Sequence, residues 1–92
     1  MSLTVIIPVK NEEDLILKTL NEFQNSWIIN IDHEILIIND GGENINLDFN
    51  INLKNLKIIN LKKNRGVGYT RQYGAKISKY NYLFFIDSDI II

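Results

Sequence analysis

The stretch "YLFFIDSD" (Tyr82–Asp89) runs five mostly apolar residues straight into two carboxylates one residue apart. An aromatic and β-branched run of this kind, with no polar alternation, reads as a buried strand. Side chains alternate along extended backbone, so Asp87 and Asp89 project to the same side. Two carboxylates so placed repel unless a cation or a proton intervenes. A hard divalent ion, Mg²⁺ or Mn²⁺, takes such oxygen ligands and leaves positions for phosphate oxygens. The plainer reading of a lone Asp-x-Asp is a polar turn closing a strand, so the rest of the chain decides between them.

Three earlier runs have the same character. Thr4 to Val9 ("TVIIPV") is β-branched and bounded by Pro8, His33 to Ile38 ("HEILII") closes on Asn39-Asp40-Gly41-Gly42, and Leu56 to Leu61 ("LKIINL") follows an Asn-rich loop over Glu43–Asn55. After the first run Asn11 is a helix cap, with Glu12, Glu13 and Asp14 in the first turn, where acids suit the helix dipole. Ile16, Leu20, Phe23 and Trp27 then recur at helical spacing, which predicts a helix over about 11–26. Gly66-Val67-Gly68 opens a second helix, in which Tyr69, Tyr73, Ile77 and Tyr80 share a face. Trp27 and these tyrosines read as core, and His33 as a strand-edge residue. The order is β-α-β-loop-β-α-β, which predicts a parallel sheet with helices on both faces.

In such sheets ligands bind outside the carboxyl ends of the strands. The residues found there are Lys10-Asn11-Glu12, Asn39-Asp40, Asn64-Arg65-Gly66 and Asp87-Ser88-Asp89. Every strand ends in chemistry, and that convergence favours a site over four separate turns. Asp40 can accept from a nucleobase N–H or a ribose hydroxyl, or can simply make a turn before Gly41-Gly42. Gly66 and Gly68 do not complete a dinucleotide fingerprint, because Arg71 stands at the third glycine position and the segment follows the third strand. A Walker loop is absent. What remains is a helix start with small residues that lets backbone or phosphate approach closely. Arg71, one turn in, can reach a diphosphate or base or can stay solvated, and Gly74 suits close packing of helix on sheet.

The bulk numbers set the frame. Ninety-two residues make one small domain, and 46% hydrophobic and 23% charged residues with a net charge of −1 fit a globular protein. A protein that binds nucleic acid by neutralising phosphates would be visibly basic, so no nucleic-acid partner is expected. The absence of cysteine excludes disulfides and thiolate metal sites. No apolar run approaches the ~20 residues of a membrane span and no signal peptide opens the chain, so a cytoplasmic protein without a membrane segment is expected.

The stretches "TVIIPVKNEEDLILKTL", "HEILIINDGG" and "NLKKNRGVGYTRQYGAKISKYNYLFFIDSDI" together resemble the amino-terminal half of a family 2 glycosyltransferase. They span nearly the whole chain in the family's order and spacing. The resemblance implies a truncated GT-A fold, a Rossmann-like three-layer α/β/α arrangement with a mostly parallel sheet of about four strands. It implies binding of a nucleotide-diphospho-sugar, with UDP-sugars favoured, together with Mn²⁺ or Mg²⁺. Carried over by position, Asp89 is the principal metal contact and Asp87 faces the ribose or the metal. Asp40 and Arg71 contact the base, Pro8, Val9, Asn11 and Glu12 line the nucleoside pocket, and Gly66 lies against the donor. This chain departs from the pattern at Lys10, where the family usually has an aromatic residue, at Asn39, where an acid is usual, and at Gly42, where serine is common.

The implied reaction is attack of an acceptor hydroxyl on the anomeric carbon with inversion. Its general base lies, by the resemblance, beyond Ile92, so no residue here is assigned as catalytic. The expectation is a single donor-binding domain over 1–92, part of a longer enzyme and inactive alone, self-associating through the edge of its last strand. Two alternatives are a non-catalytic nucleotide-binding module and a phosphotransferase of the haloacid dehalogenase type. The latter would need its Asp-x-Asp after the first strand.

Overall fold

The computed structural model describes residues 2–10, 18–22, 30–41 and 55–86. Four strands, β1 (Ser2–Val9), β2 (Asp32–Asn39), β3 (Leu56–Asn60) and β4 (Tyr82–Phe85), and one helix, α1 (Val67–Ile77), are defined within them. Residues 18–22 are also helical, inside the span expected for the first helix. The strands form one sheet in the order β3-β2-β1-β4, and all three pairings are parallel. The register runs from Ser2 opposite Asp32 to Val9 opposite Asn39, and from Leu3 opposite Tyr82 to Ile6 opposite Phe85.

Pleating sorts the apolar residues of β1 and β2 into two cores. Leu3, Val5, Ile7 and Val9 join Ile35, Ile37 and Ile86 on one face, where Leu20 of the 18–22 helical segment packs. Ile6, Leu36 and Ile38 lie on the other face, against Tyr73 and Ala75 of α1. Both faces being covered explains why β1 and β2 are apolar without alternation. Burying a Val, Leu or Ile side chain contributes about 1.5–3 kcal/mol, so these two strands dominate the apolar stabilisation.

Three expectations are corrected. The face of α1 turned to the sheet is marked by buried Thr70 and Gly74, whereas Tyr69 and Ile77 are exposed and Tyr73 is half-buried. The helix can lie this close because a Cβ at Gly74 would stand 2.6 Å from Ile6 Cγ2. Second, β4 is not buried. It is an edge strand beyond β1, and Tyr82, Leu83, Phe84 and Phe85 are all exposed. Third, His33 is not at an edge. It is buried on an inner strand, with Nδ1 2.8 Å from the Ile31 carbonyl oxygen.

A polar cluster ties the elements together at the start of the sheet. Glu34 Oε2 accepts from the Thr4 hydroxyl at 2.9 Å and from the Lys79 amide at 2.7 Å, and Thr4 Oγ1 accepts from the Tyr80 amide at 3.3 Å. Glu34 is thus buried with partners from β1 and from the α1–β4 connection, the condition under which a buried carboxylate is tolerated.

Candidate donor site

The site is built at the carboxyl end of the sheet. The ladder continues one residue past β2, where the Asp40 amide donates to the Val9 carbonyl at 2.9 Å, and the Leu61 amide donates to the Asn39 carbonyl at 2.9 Å. Asp40 is therefore held at the strand end, buried, with its carboxylate turned towards the β3–α1 loop. One oxygen accepts the Arg65 amide at 2.7 Å and the other the Gly66 amide at 2.9 Å. Charge-assisted bonds of this kind are roughly twice as strong as neutral ones. Asp40 therefore clamps a loop that lies 25 residues away in sequence.

Gly41 completes the clamp. Its φ of +83° is in the left-handed region, and a Cβ there would meet Asn64 N at 2.8 Å and Lys63 C at 3.1 Å. Backbone thus packs directly on backbone, and the loop is fixed before α1 begins. The helix starts with the Thr70 amide donating to the Gly66 carbonyl at 3.2 Å, and the Thr70 hydroxyl donates to the Val67 carbonyl at 2.8 Å.

Between these elements lies a cavity of about 250 Å³. Its walls are Pro8, Val9 and Lys10 from the end of β1, Asp40 after β2, Asn64 and Gly66 from the loop, and Val67 and Thr70 from α1. Four residues to which the resemblance gives a donor role, Pro8, Val9, Asp40 and Gly66, meet in this one wall, together with Lys10 and Asn64 from the strand-end clusters. Arg71 is half-buried on α1 and does not line the cavity. Asn11, Glu12, Asp87 and Asp89 lie outside the described residues, as does Gly42. The Ile86 amide donates to the Ile6 carbonyl at 3.0 Å, so β4 ends beside β1 at the same end of the sheet as the cavity.

Lys10, Asn64, Val67 and Thr70 join the wall without a role from sequence reasoning. For Lys10 and Asn64 a signal was present, since each directly follows a strand or precedes the helix-opening glycine. Val67 and Thr70 carried none, because their placement depends on the loop being drawn to Asp40. Among the described residues no three His, Cys, Asp or Glu side chains are gathered into a metal-binding group.

The crevice also borders the place where the strand order reverses, because the end of β1 supplies one of its walls. The chain proceeds outwards from β1 through β2 to β3, then crosses back to place β4 on the other side of β1. Open α/β sheets bind ligands at this reversal.

Comparison with known proteins agrees with this geometry. The family model described as Glycosyl transferase family 2 matches residues 4–92. The chain is 33% identical over 94 residues to a poly(ribitol-phosphate) beta-glucosyltransferase of Bacillus spizizenii, covering 97% of this chain and 15% of that protein. It is 34% identical over 98 residues to the poly(ribitol-phosphate) beta-N-acetylglucosaminyltransferase TarP of Staphylococcus aureus, covering 97% and 28%. It also superposes on the crystal structure of S. aureus TarS 1–349 in complex with UDP, with a TM-score of 0.74 and 25% identity over 97% of this chain and 28% of that one. The chain therefore spans less than a third of the relatives it matches. With the family pattern running from β1 to the last residue, this chain belongs to glycosyl transferase family 2.

Proposed function

We propose that this chain is the donor-binding part of a sugar transferase, holding a UDP-sugar in the cavity at the carboxyl ends of β1 and β2. The observation that carries the reading is the position of that cavity, at the carboxyl ends of β1 and β2 and bordering the strand-order reversal, in a fold shared with a relative solved with UDP. The cavity is smaller than the 300–1,000 Å³ usual for whole small-molecule sites and suits one moiety of the donor.

In this reading Pro8 and Val9 supply an apolar wall for the nucleoside, and Asp40 and Gly66 form its polar floor. Asn11, Glu12 and Arg71 belong to the same assignment through their family positions. Asp87 and Asp89 offer only carboxylate oxygens, a donor set that suits Mg²⁺ or Mn²⁺. A metal held there would neutralise charge on the departing nucleoside diphosphate. The chain's own part is binding and orientation, and activation of the acceptor hydroxyl is assigned to none of its residues.

The two curated relatives are named for different sugars on one acceptor, poly(ribitol-phosphate). Their shared acceptor supports a phosphodiester-linked polyol as the acceptor class for the protein to which this chain contributes, and their differing sugars give no basis for choosing one. No described helix is long and apolar enough to cross a membrane, and the reading includes a cytoplasmic donor site. It also includes self-association through the exposed edge at β4.

Isothermal titration with UDP, with and without Mn²⁺, tests the donor site. Metal-dependent binding that disappears in Asp89→Ala is expected. Absence of any UDP binding, or binding indifferent to both Mn²⁺ and Asp89→Ala, overturns the reading.

A further inference from the structure

A second cavity, of about 140 Å³, lies at the other end of the sheet from the donor cavity. Glu34 walls it near the start of β2, Asn55 and Lys57 at the start of β3, and Lys79 and Tyr80 in the α1–β4 connection. Lys57 pairs in register with Leu36, so it shares a sheet face with Glu34 two residues earlier.

Glu34 is 5% exposed, and its two oxygens are used unequally. Oε2 takes the Thr4 hydroxyl and the Lys79 amide, whereas among the described residues Oε1 has only Lys57 Nζ at 3.8 Å, beyond hydrogen-bond length. A carboxylate accepts at both oxygens, so Oε1 keeps its acceptor capacity where Glu34 lines the cavity. Lys57 and Lys79 stand exposed around it, Lys79 with Nζ 5.4 Å from the Tyr80 ring centroid. Both belong to the run from 49 to 86, which holds eight of the ten lysines and arginines and no aspartate or glutamate. Clustered charge of one sign raises the local concentration of the opposite ion.

The wall therefore suits a ligand with an anionic group for the lysines and an O–H donor for the carboxylate. Bare phosphate satisfies the lysines but sets negative charge against Glu34. A metal cation would meet one carboxylate and two ammonium groups. A nucleotide needs a larger space. A small polyol carrying a phosphate meets both demands.

We infer that this cavity binds a polyol phosphate, its phosphate between Lys57 and Lys79 and one of its hydroxyls donating to Glu34 Oε1. The site is separate from the donor cavity, and its assignment does not rest on the UDP reading. A free polyol phosphate and one unit of a phosphodiester-linked polyol share this chemistry.

Isothermal titration of glycerol 3-phosphate, glycerol, inorganic phosphate and a phosphodiester-linked glycerol phosphate trimer tests the site. The proteins are the wild-type chain, Lys57→Ala and Glu34→Gln. Glycerol and inorganic phosphate are each expected to bind wild type about tenfold or more weaker than glycerol 3-phosphate, the loss of one charge-assisted contact. Lys57→Ala changes an exposed residue outside the donor cavity, and it should weaken glycerol 3-phosphate by about tenfold while leaving UDP affinity unchanged. Glu34→Gln keeps an oxygen for Thr4 and Lys79 and removes the negative charge, so it should narrow the gap between glycerol 3-phosphate and inorganic phosphate. A trimer that binds tighter than the monoester assigns the cavity to a polymer unit, and one that binds no tighter assigns it to the free monoester; both keep the site. No saturable binding of glycerol 3-phosphate overturns the inference. Equal wild-type affinity for inorganic phosphate, or glycerol 3-phosphate binding unchanged in Lys57→Ala, overturns it as well. Failure of UDP binding alone removes the donor reading and leaves this site standing.

Discussion

The Thr4 hydroxyl donates to Glu34 Oε2 at 2.9 Å across a β1–β2 register pair, and that same oxygen takes the Lys79 amide at 2.7 Å. One buried oxygen therefore joins two inner strands to the turn that launches β4. Glu34→Ala leaves the buried Thr4 hydroxyl and the part-buried Lys79 amide without their acceptor, at about 1–3 kcal/mol for the buried group and less for the amide that water can reach. Glu34→Gln retains an oxygen that can take both bonds, so its loss should be about 1 kcal/mol. The ion pair to Lys57, at 3.8 Å from a lysine that is 69% exposed, should contribute little, and Lys57→Ala should be almost silent. Urea denaturation of the three variants checks the order Ala > Gln > Lys57→Ala. A Gln variant as damaging as Ala would show that the charge, and not the oxygen, matters.

Gly74 sets how closely α1 approaches β1. In an exposed helix, Gly→Ala gains about 1 kcal/mol of helix propensity. Here the new Cβ would stand 2.6 Å from Ile6 Cγ2, which is on a fully buried side chain that cannot swing away. Overpacking a filled core costs about 1–3 kcal/mol, so Gly74→Ala should be net destabilising despite the better helix former. A raised Tm for Gly74→Ala would refute this packing account.

The contrast between α1 and the strands shows what local pattern can and cannot reveal. β1 and β2 were legible because a strand buried on both faces leaves an unbroken β-branched run, and the parallel topology followed from the helical stretches between runs. Four of the cavity residues were legible because strand ends in parallel sheets converge. The helix face was misread because Tyr69, Tyr73, Ile77 and Tyr80 have the right spacing, while contact with a sheet favours small residues such as Gly74 that admit the backbone. The exposure of β4 depends on strand order, which no property of "YLFF" encodes. Asp40 holding Arg65 and Gly66 is a contact between distant segments, and a turn motif before two glycines gives no sign of it.

The Asp40 clamp predicts linked losses of stability and nucleotide affinity. Asp40→Ala leaves two loop amides without their carboxylate, and the loop's access to water keeps the cost at about 2 kcal/mol. Gly41→Ala forces a residue with a Cβ into a φ of +83° and onto Asn64 N, costing about 1–2 kcal/mol in backbone strain before the clash. Both variants should weaken UDP binding, Gly41→Ala without removing any polar group from the cavity. Chemical denaturation paired with UDP titration measures the two effects. Full UDP affinity in a destabilised Gly41→Ala variant would separate the clamp from the site.

The edge at β4 predicts self-association. Among the described residues β4 has one strand neighbour, β1, so its other side offers unpaired N–H and C=O groups. The side chains beside those groups are apolar or aromatic, with Tyr82 65% exposed and Leu83, Phe84 and Phe85 36–41% exposed. A contiguous apolar edge of this kind favours pairing with another chain, and a lysine on it is a natural deterrent. Sedimentation velocity of this chain should show a mass that rises with concentration, and Phe84→Lys should shift the profile towards monomer by roughly tenfold in concentration. Phe84 faces the side of the sheet that holds Val5, its register partner, so the substitution adds charge at the rim without entering the Ile6 core. A monomeric profile at the highest concentration reached would remove the edge as an association surface.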